Sequence, residues 1–169
     1  EVREYKKKKN MQIYFYKYQG TGNDFILLDN RENIYSDLTG ADISYLCDRH
    51  FGIGADGLML LSKQEGYDFK MVYYNSDGNE STMCGNGGRC ITAFAHNLGL
   101  IESEAKFIAI DGAHESFIFE DGQVKLKMND VVGVKVYETY IQLNTGSPHY
   151  VYFTEDIHDF DMKKEGALI

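Results

Sequence analysis

The segment CGNGGRCITAFAHN, residues 84–97, combines a glycine-rich beginning with a mostly apolar continuation. From residue 86 onward its apolar side chains recur at helical spacing and form one broad face, made of Ile91, Phe94, Ala95 and Leu98. Gly99 follows directly and is typical of the position just past a helix end. Because so few positions are polar, we predict that residues 86–97 form a helix inside the fold rather than on its surface.

The sequence on both sides of this helix favours strands. Before it, strands are predicted at residues 12–18, 25–29, 58–61 and 69–75, with a second helix at 37–49 that ends at Gly52. After it, strands are predicted at 106–111, 115–120, 123–129, 134–143 and 149–153. The pair Asp121-Gly122 lies between two alternating runs and predicts a hairpin turn. We therefore predict an α+β fold in which a curled, antiparallel-rich mixed sheet wraps, barrel-like, around the central helix.

Composition and charge indicate an ordinary globular protein. Of its 169 residues, 43% are hydrophobic and 25% are charged, which suits one domain with a substantial core. We expect residues 1–10 to form a polar leader and residues 11–169 to form the domain. The net charge of −9 argues against nucleic acid as a partner, since phosphate binding needs an excess of Lys and Arg. No apolar stretch reaches the roughly 18 residues that span a membrane, so no membrane association is expected.

The chain has three cysteines, Cys47, Cys84 and Cys90, which form no paired framework. Free thiols in a reducing cytoplasm explain this odd number most simply, so we expect a cytoplasmic protein. The spacing of Cys84 and Cys90 does not match a zinc site, and no histidine pair completes one. No metal is therefore expected.

Cys84 stands where a polar turn runs into the predicted central helix. Unpaired N–H groups and the positive end of the helix dipole stabilise a thiolate at such a position. The glycines that follow leave backbone N–H groups open to an anion such as a carboxylate. One site would then supply a base and an electrophilic clamp, which are the two requirements for removing an α-proton from an amino acid. The alternative is that Cys84 is a small buried hydrophobic residue, as Cys90 is predicted to be, and that the glycines only permit a tight turn.

Four segments together resemble the diaminopimelate epimerase family. They are residues 22–25 (GNDF), 48–57 (DRHFGIGADG), 75–90 (NSDGNESTMCGNGGRC) and 144–149 (NTGSPH). They occur in the family's order and at its spacing, and the resemblance extends from Met11 to the region of residue 155.

The resemblance implies an isomerase of two similar halves, each a curled sheet around a central helix, with the substrate held between them. Each half contributes one cysteine, so that one thiolate removes the α-proton and the opposite thiol returns a proton on the other face. Cys84 matches the cysteine usually assigned as the proton donor. The implied reaction converts LL- to meso-diaminopimelate for lysine and peptidoglycan precursors, with no metal or organic cofactor.

Further positions match residues that have roles in the family. Gly85 and Asn86 match residues that bind the reacting end of the substrate, and Asn23 and Asn75 match positions that bind its polar groups. His149 matches a histidine that tunes the protonation of the cysteines. Each side chain also has a plainer alternative. Asn23 could be a turn residue with positive φ, Asn75 a cap at a strand end, and His149 a structural strand histidine.

The sequence departs from the family pattern at several places. Ser147 stands where many members have a substrate-binding Asn, and its hydroxyl can still form a hydrogen bond to the substrate. Gly57 stands where some members carry a substrate-binding Gln, and the neighbouring Asp56 is interpreted as ordering its loop. The family's second cysteine, in a C-terminal half, has no counterpart here, so residues 11–169 correspond to the N-terminal half. We therefore expect this chain alone to be inactive or a poor epimerase.

Three alternatives remain open. The chain is a catalytically inactive, carboxylate-binding half-domain, or a related cysteine-based racemase of the proline or hydroxyproline type, or a thiol hydrolase that pairs Cys84 with His149. Ligand binding without α-proton exchange would indicate the first, turnover of another amino acid the second, and an acyl-enzyme the third. The oligomeric state is open as well, with a homodimer as one alternative.

Overall fold

The computed structural model describes residues 3–6, 12–146, 148–155, 157 and 160–169. The chain divides into two compact units, Glu1–Asn129 and Asp130–Ile169. The predicted boundary between a leader and a domain, at residues 10 and 11, lies outside the described residues. The described part of the predicted leader, Arg3–Lys6, forms a strand.

The described residues of the first unit form strands and two helices. Its described strands are β1 (Arg3–Lys6), β2 (Gln12–Gly20), β3 (Asn23–Asp29), β4 (Gly57–Ser62), β5 (Phe69–Asn75), β6 (Glu80–Ser81), β7 (Glu104–Ala109), β8 (Gly112–Ile118) and β9 (Val124–Leu126). Its helices are α1 (Gly40–Cys47) and α2 (Gly85–Asn97).

These strands form one mixed sheet around α2. The order is β1-β2-β3-β4-β5-β7-β8-β9, and β6 also pairs with β5. Among the described strands, the β3–β4 and β5–β7 pairs are parallel and the other pairs are antiparallel. Helix α2 contacts β2, β3 and β4 as well as β8 and β9, so strands from both halves of the sheet order pack against it. The predicted α+β fold, a curled sheet around a central helix, is confirmed.

Strand β3 shows that the sheet is covered by apolar side chains on both faces. Successive side chains of a strand point to opposite faces, and four consecutive apolar residues of β3 are fully buried. Phe25 and Leu27 pack into the cluster that surrounds α2. Ile26 and Leu28 pack into a second cluster, which contains the apolar side of α1. The sheet therefore lies between two apolar layers and holds α2 in a fixed position.

The central helix ends at Asn97 as predicted, begins one residue earlier at Gly85, and has the predicted apolar face. Ile91, Phe94 and Ala95 are fully buried, and the Phe94 ring lies 4.7 Å from the Tyr16 ring. Gly99 has a φ of 69°, the left-handed conformation that favours glycine after a helix end. Cys90 is buried in the same cluster, as predicted.

The end of α1 differs from the prediction. The helix ends at Cys47, and Asp48 is already extended with φ −62° and ψ 128°. Gly52 is therefore not the helix terminator. It packs against the last turn of α1, where a Cβ on residue 52 would lie 2.0 Å from the carbonyl oxygen of Tyr45. The glycine is required for this close approach of the following loop to the helix.

The second unit also corrects one strand prediction. Residues 134–143 do not form one strand but two, β10 (Lys135–Val136) and β11 (Ile141–Asn144). Between them the chain reverses, and the N–H of Tyr137 donates to the carbonyl of Tyr140 at 2.9 Å. Strand β12 (Pro148–Val151) pairs with β11, and helix α3 (Met162–Gly166) follows. Among the described residues of the whole chain, no helix has the length and apolar character to cross a membrane.

Candidate active site

Cys84 occupies the position immediately before helix α2. It is the N-cap residue, with an extended backbone at φ −95° and ψ 131°, and its side chain makes no capping hydrogen bond. The helix then begins with glycines that pack closely: a Cβ on Gly87 would lie 2.9 Å from Met59 Cε, and one on Gly88 2.7 Å from Leu126 Cδ2. The glycines thus let the first turn approach the sheet, and the thiol stays partly exposed at the end of this buried helix.

The Asn23 side chain contacts this thiol. Its Oδ1 lies 3.6 Å from Cys84 Sγ, within range of an S–H···O hydrogen bond. Asn23 is the first residue of β3, after the β2–β3 hairpin turn in which Thr21 and Gly22 have positive φ. Asn23 itself does not have positive φ, so the alternative that it serves as a left-handed turn residue is wrong. The hairpin instead presents the Asn23 amide to the start of α2.

Gly85 and Asn86 form the first turn of α2 beside Cys84. The Asn86 Nδ2 lies 3.5 Å from Asn23 Oδ1, and the Asn86 Oδ1 accepts from the Arg89 guanidinium. In an α-helix the N–H groups of the first turn have no partner within the helix, so they are available to an anion here. A Cβ on Gly85 would meet nothing closer than 3.8 Å, which leaves the backbone of this turn accessible from that side.

Asn75 lies at the end of the sheet at which β3 begins with Asn23. It ends β5 and pairs with Gly57, which in turn pairs with Phe25, two residues after Asn23. The Asn75 side chain is exposed, while its backbone N–H and C=O close a turn with Asn79 and Gly78. The structure therefore brings Asn23, Asn75 and the start of β4 to one end of the sheet.

An ion-pair network lies behind Asn23. Arg49 donates to Asp24 Oδ1 and to Asp56 Oδ1, each at 2.7 Å, and Lys17 donates to Asp24 Oδ2 at 2.6 Å. Asp56 Oδ2 accepts from the Asn23 Nδ2 at 2.8 Å and from the Asp24 backbone N–H at 3.1 Å. The prediction that Asp56 orders its loop agrees with these contacts. The sequence did not reveal that Arg49 pairs with both carboxylates, because that pairing depends on the fold and not on local spacing.

Burial separates Cys84 from the other thiols. Desolvation raises the pKa of Cys47 to about 11 and that of Cys90 to about 11, so both remain neutral and unreactive near pH 7. Burial likewise raises the pKa of Tyr73, beside the site, to about 12. Of the three thiols, Cys84 is the one accessible to a ligand.

Two predicted site residues belong to the second unit. His149 is exposed in β12, opposite Leu143 of β11, and its Nδ1 lies 3.4 Å from the Thr145 hydroxyl. Ser147 lies outside the described residues. In the described ranges, no group of three or more His, Cys, Asp or Glu side chains has the arrangement of a metal site.

The fold and the thiol at the start of its central helix define a protein of the diaminopimelate-epimerase-like fold class. A solved phenazine biosynthesis protein of the PhzF family from Bacillus anthracis has the same fold over 83% of this chain and 54% of its own, with a TM-score of 0.59 and 15% identity. Residues 15–134 match the family model described as diaminopimelate epimerase. The chain belongs to the diaminopimelate epimerase family, as the four segments indicated.

Named relatives agree with this family. The chain is 57% identical to the diaminopimelate epimerase of Flavobacterium psychrophilum over 154 residues, covering 91% of this chain and 60% of the relative. It is 37% identical to that of Chlorobaculum tepidum over 158 residues, covering 89% of this chain and 61% of the relative. The chain thus spans about 60% of the length of these relatives.

Proposed function

We propose that this chain supplies the Cys84 side of a cofactor-independent diaminopimelate epimerase, an isomerase that interconverts LL- and meso-diaminopimelate. One observation carries the proposal. A partly exposed thiol stands at the N-terminus of a buried helix, 3.6 Å from an asparagine amide oxygen. Family membership supports the substrate, because the relatives matched are diaminopimelate epimerases.

The proposed chemistry is a transfer of two protons. A thiolate on one side removes the α-proton of the substrate, and a thiol on the other side gives a proton to the opposite face of the same carbon. The C–H bond breaks as an S–H bond forms, then the second S–H bond breaks as the new C–H bond forms. After one turnover the charges of the two sulfurs are exchanged. In the direction for which Cys84 is the donor, it begins as the thiol and ends as the thiolate.

The start of α2 is the proposed binding site for the reacting carboxylate. Backbone N–H groups of Gly85 and Asn86, at the positive end of the helix, stabilise the carboxylate and the negative charge that develops on it. Asn23 and Asn75 are the proposed polar contacts. The roles of Ser147 and His149 rest on the match of residues 144–149 alone.

A single accessible thiol cannot serve both faces of one α-carbon. In this proposal the opposite thiol belongs to a part of the enzyme outside these 169 residues, and the chain alone does not epimerise. This same observation favours the second candidate function, a carboxylate-binding half-domain without catalysis. A cytoplasmic location and a place in lysine and peptidoglycan precursor synthesis complete the proposal.

The test has a binding arm and a chemical arm. In the chain alone, diaminopimelate should slow alkylation of Cys84 by iodoacetamide, and 1,5-diaminopentane, which lacks both carboxylates, should not at the same concentration. In an enzyme completed by co-expression with the C-terminal part of the Flavobacterium psychrophilum relative, α-proton exchange in deuterated water should appear and should vanish in Cys84→Ala. Cys47→Ala, which alters a buried thiol in the other apolar layer, is the matched control. Protection without exchange would select the half-domain, and exchange that survives Cys84→Ala would refute the assignment.

A further inference from the structure

The Asn23 amide has two chemically different ends, and each faces a different group. Its Nδ2 points to Asp56 Oδ2 at 2.8 Å, while its Oδ1 points to Cys84 Sγ at 3.6 Å. A carboxylate only accepts hydrogen bonds, so it selects the NH₂ end of an amide. With that end taken by Asp56, the oxygen is the end left for the thiol.

A second contact selects the same orientation from the helix side. Arg89 has only donors, so it takes the Oδ1 of Asn86. The Asn86 Nδ2 is then directed at Asn23 Oδ1, 3.5 Å away. Arg89 therefore donates to Asn86, Asn86 to Asn23, and Asn23 to Asp56, so that all three hydrogen bonds run in one direction.

Asp56 is held in its ionised, acceptor form. The hydrogen bond from Asn23, then the Asp24 N–H and Arg49, hold the pKa of Asp56 below its usual range. Arg49 bridges Asp56 and Asp24, and its hydrogen bonds to both carboxylates raise its own pKa. The Arg49 hydrogen bond is also the largest cause of the depressed pKa of Asp24. The acceptor of the Asn23 N–H thus keeps its charge and position at neutral pH.

We propose that Asp56 is a positioning residue for Cys84. Asp56 fixes the Asn23 amide so that the amide Oδ1 faces the sulfur of Cys84. A carbonyl oxygen accepts from an S–H group but repels a thiolate, whereas an N–H would do the reverse. The fixed amide therefore favours the thiol, the form that donates a proton, and opposes the helix N-terminus, which favours the thiolate. This inference rests on the proposed function, in which Cys84 is the proton donor.

Other charged and titratable groups near the thiol also influence the protonation of Cys84, and the experiment must separate their effects from that of the Asn23 amide. Tyr73 and Cys90 interact electrostatically with Cys84, Arg89 reaches it through Asn86, and Asp56 carries a negative charge of its own. Loss of the Asp56 charge alone would also favour the thiolate, with or without the Asn23 amide. A double-mutant cycle with Asn23 separates the two effects.

The experiment is a pH profile of iodoacetamide labelling at Cys84, measured on the whole chain by peptide mass and without substrate. In Asp56→Asn, the NH₂ end of the Asn23 amide loses its charged acceptor, and the orientation of the amide then rests on the weaker 3.5 Å contact from Asn86. The NH₂ can therefore turn to the sulfur, and the labelling midpoint should fall by roughly one pH unit. In the Asn23→Ala background, the same substitution should shift the midpoint by less than half as much. Asp77→Asn is the matched control: this exposed carboxylate bonds to Asn79, and its replacement should leave the midpoint unchanged.

Two results would overturn the inference: no shift in Asp56→Asn, or an equal shift with and without Asn23. If Asp56→Asn does not fold, nuclear Overhauser contacts of the Asn23 Nδ2 hydrogens in the unmutated protein decide the question. They should be found with the Asp24 backbone N–H, and contacts with the Cys84 β-hydrogens instead would overturn the orientation. Failure of the proposed function is seen separately, as α-proton exchange that persists in Cys84→Ala, and it leaves the labelling result interpretable.

Discussion

Alanine at Gly52 should destabilise the protein severely, although Gly52 does not have positive φ. A Cβ there would lie 2.0 Å from the Tyr45 carbonyl oxygen and 2.7 Å from that of Leu46. Real Cβ atoms essentially never lie closer than 3.0 Å to such an atom, and the first distance is about 1 Å below this limit. Both obstacles are backbone atoms of the last turn of α1, so either the helix or the loop must move. Overpacking against such rigid atoms costs about 3 kcal/mol in the free energy of unfolding.

Gly87→Ala is the comparison that tests the reasoning. Its Cβ would lie 2.9 Å from Met59 Cε, the far end of a flexible side chain that can move aside. The packing cost of about 1 kcal/mol is offset by the roughly 0.5–1 kcal/mol that alanine gains over glycine in a helix. The net change should therefore lie within about 1 kcal/mol of zero.

Urea unfolding followed by circular dichroism measures both variants, with the slope checked for constancy. The expected ranking is a large loss for Gly52→Ala and little change for Gly87→Ala. Equal losses would mean that the distance to a Cβ, and not the rigidity of the atom it meets, decides the cost. A Gly52→Ala variant as stable as the unmodified protein would refute the close approach of the loop to α1.

Burial and hydrogen bonding also determine the reactivity of the thiols and the stability of the fold. In the native state Cys84 should be alkylated at least about tenfold faster than the other two thiols, and the difference should vanish in urea. The depressed pKa of Asp24, caused first by Arg49, means that its stabilisation is complete above about pH 4 and is lost as the pH falls further. Asp24→Asn should therefore flatten the acid limb of the stability profile. Thr92→Val should cost about 1–3 kcal/mol in unfolding free energy, because the buried Ser116 hydroxyl loses its 2.8 Å partner, and Ser116→Ala should recover part of this loss.

The central helix could be predicted because its signals are local. The apolar residues of 86–97 repeat at helical spacing, and Gly99 takes the left-handed conformation expected after a helix end. The observed helix, Gly85–Asn97, begins one residue earlier than predicted. The strand predicted at 69–75 is likewise observed as Phe69–Asn75, where alternation places Phe69 and Met71 on one buried face.

Features that depend on distant contacts were not predictable in the same way. The break between β10 and β11 falls in a run of good strand formers, and the stacked rings of Tyr137 and Tyr140, 4.4 Å apart, fix a turn there. Glycine is a common helix terminator, yet Gly52 is required for a different reason: its loop folds back and packs closely against α1. The link from Arg49 to Asn23 joins residues from two segments, and only the pairing of β3 with β4 brings them together.

The candidate site combines two influences on one sulfur that act in opposite directions. The N-terminus of α2 stabilises negative charge at Cys84, and the Asn23 oxygen, 3.6 Å away, destabilises it. The helix N-terminus alone favours the thiolate, and the Asn23 oxygen alone favours the thiol. A residue that gives up a proton in one direction of a reaction and takes it back in the other needs both forms within reach. Under the proposed function, the balance between the helix N-terminus and the Asn23 oxygen suits Cys84 to its role. The Asp56 carboxylate maintains this balance because it holds the NH₂ end of the Asn23 amide.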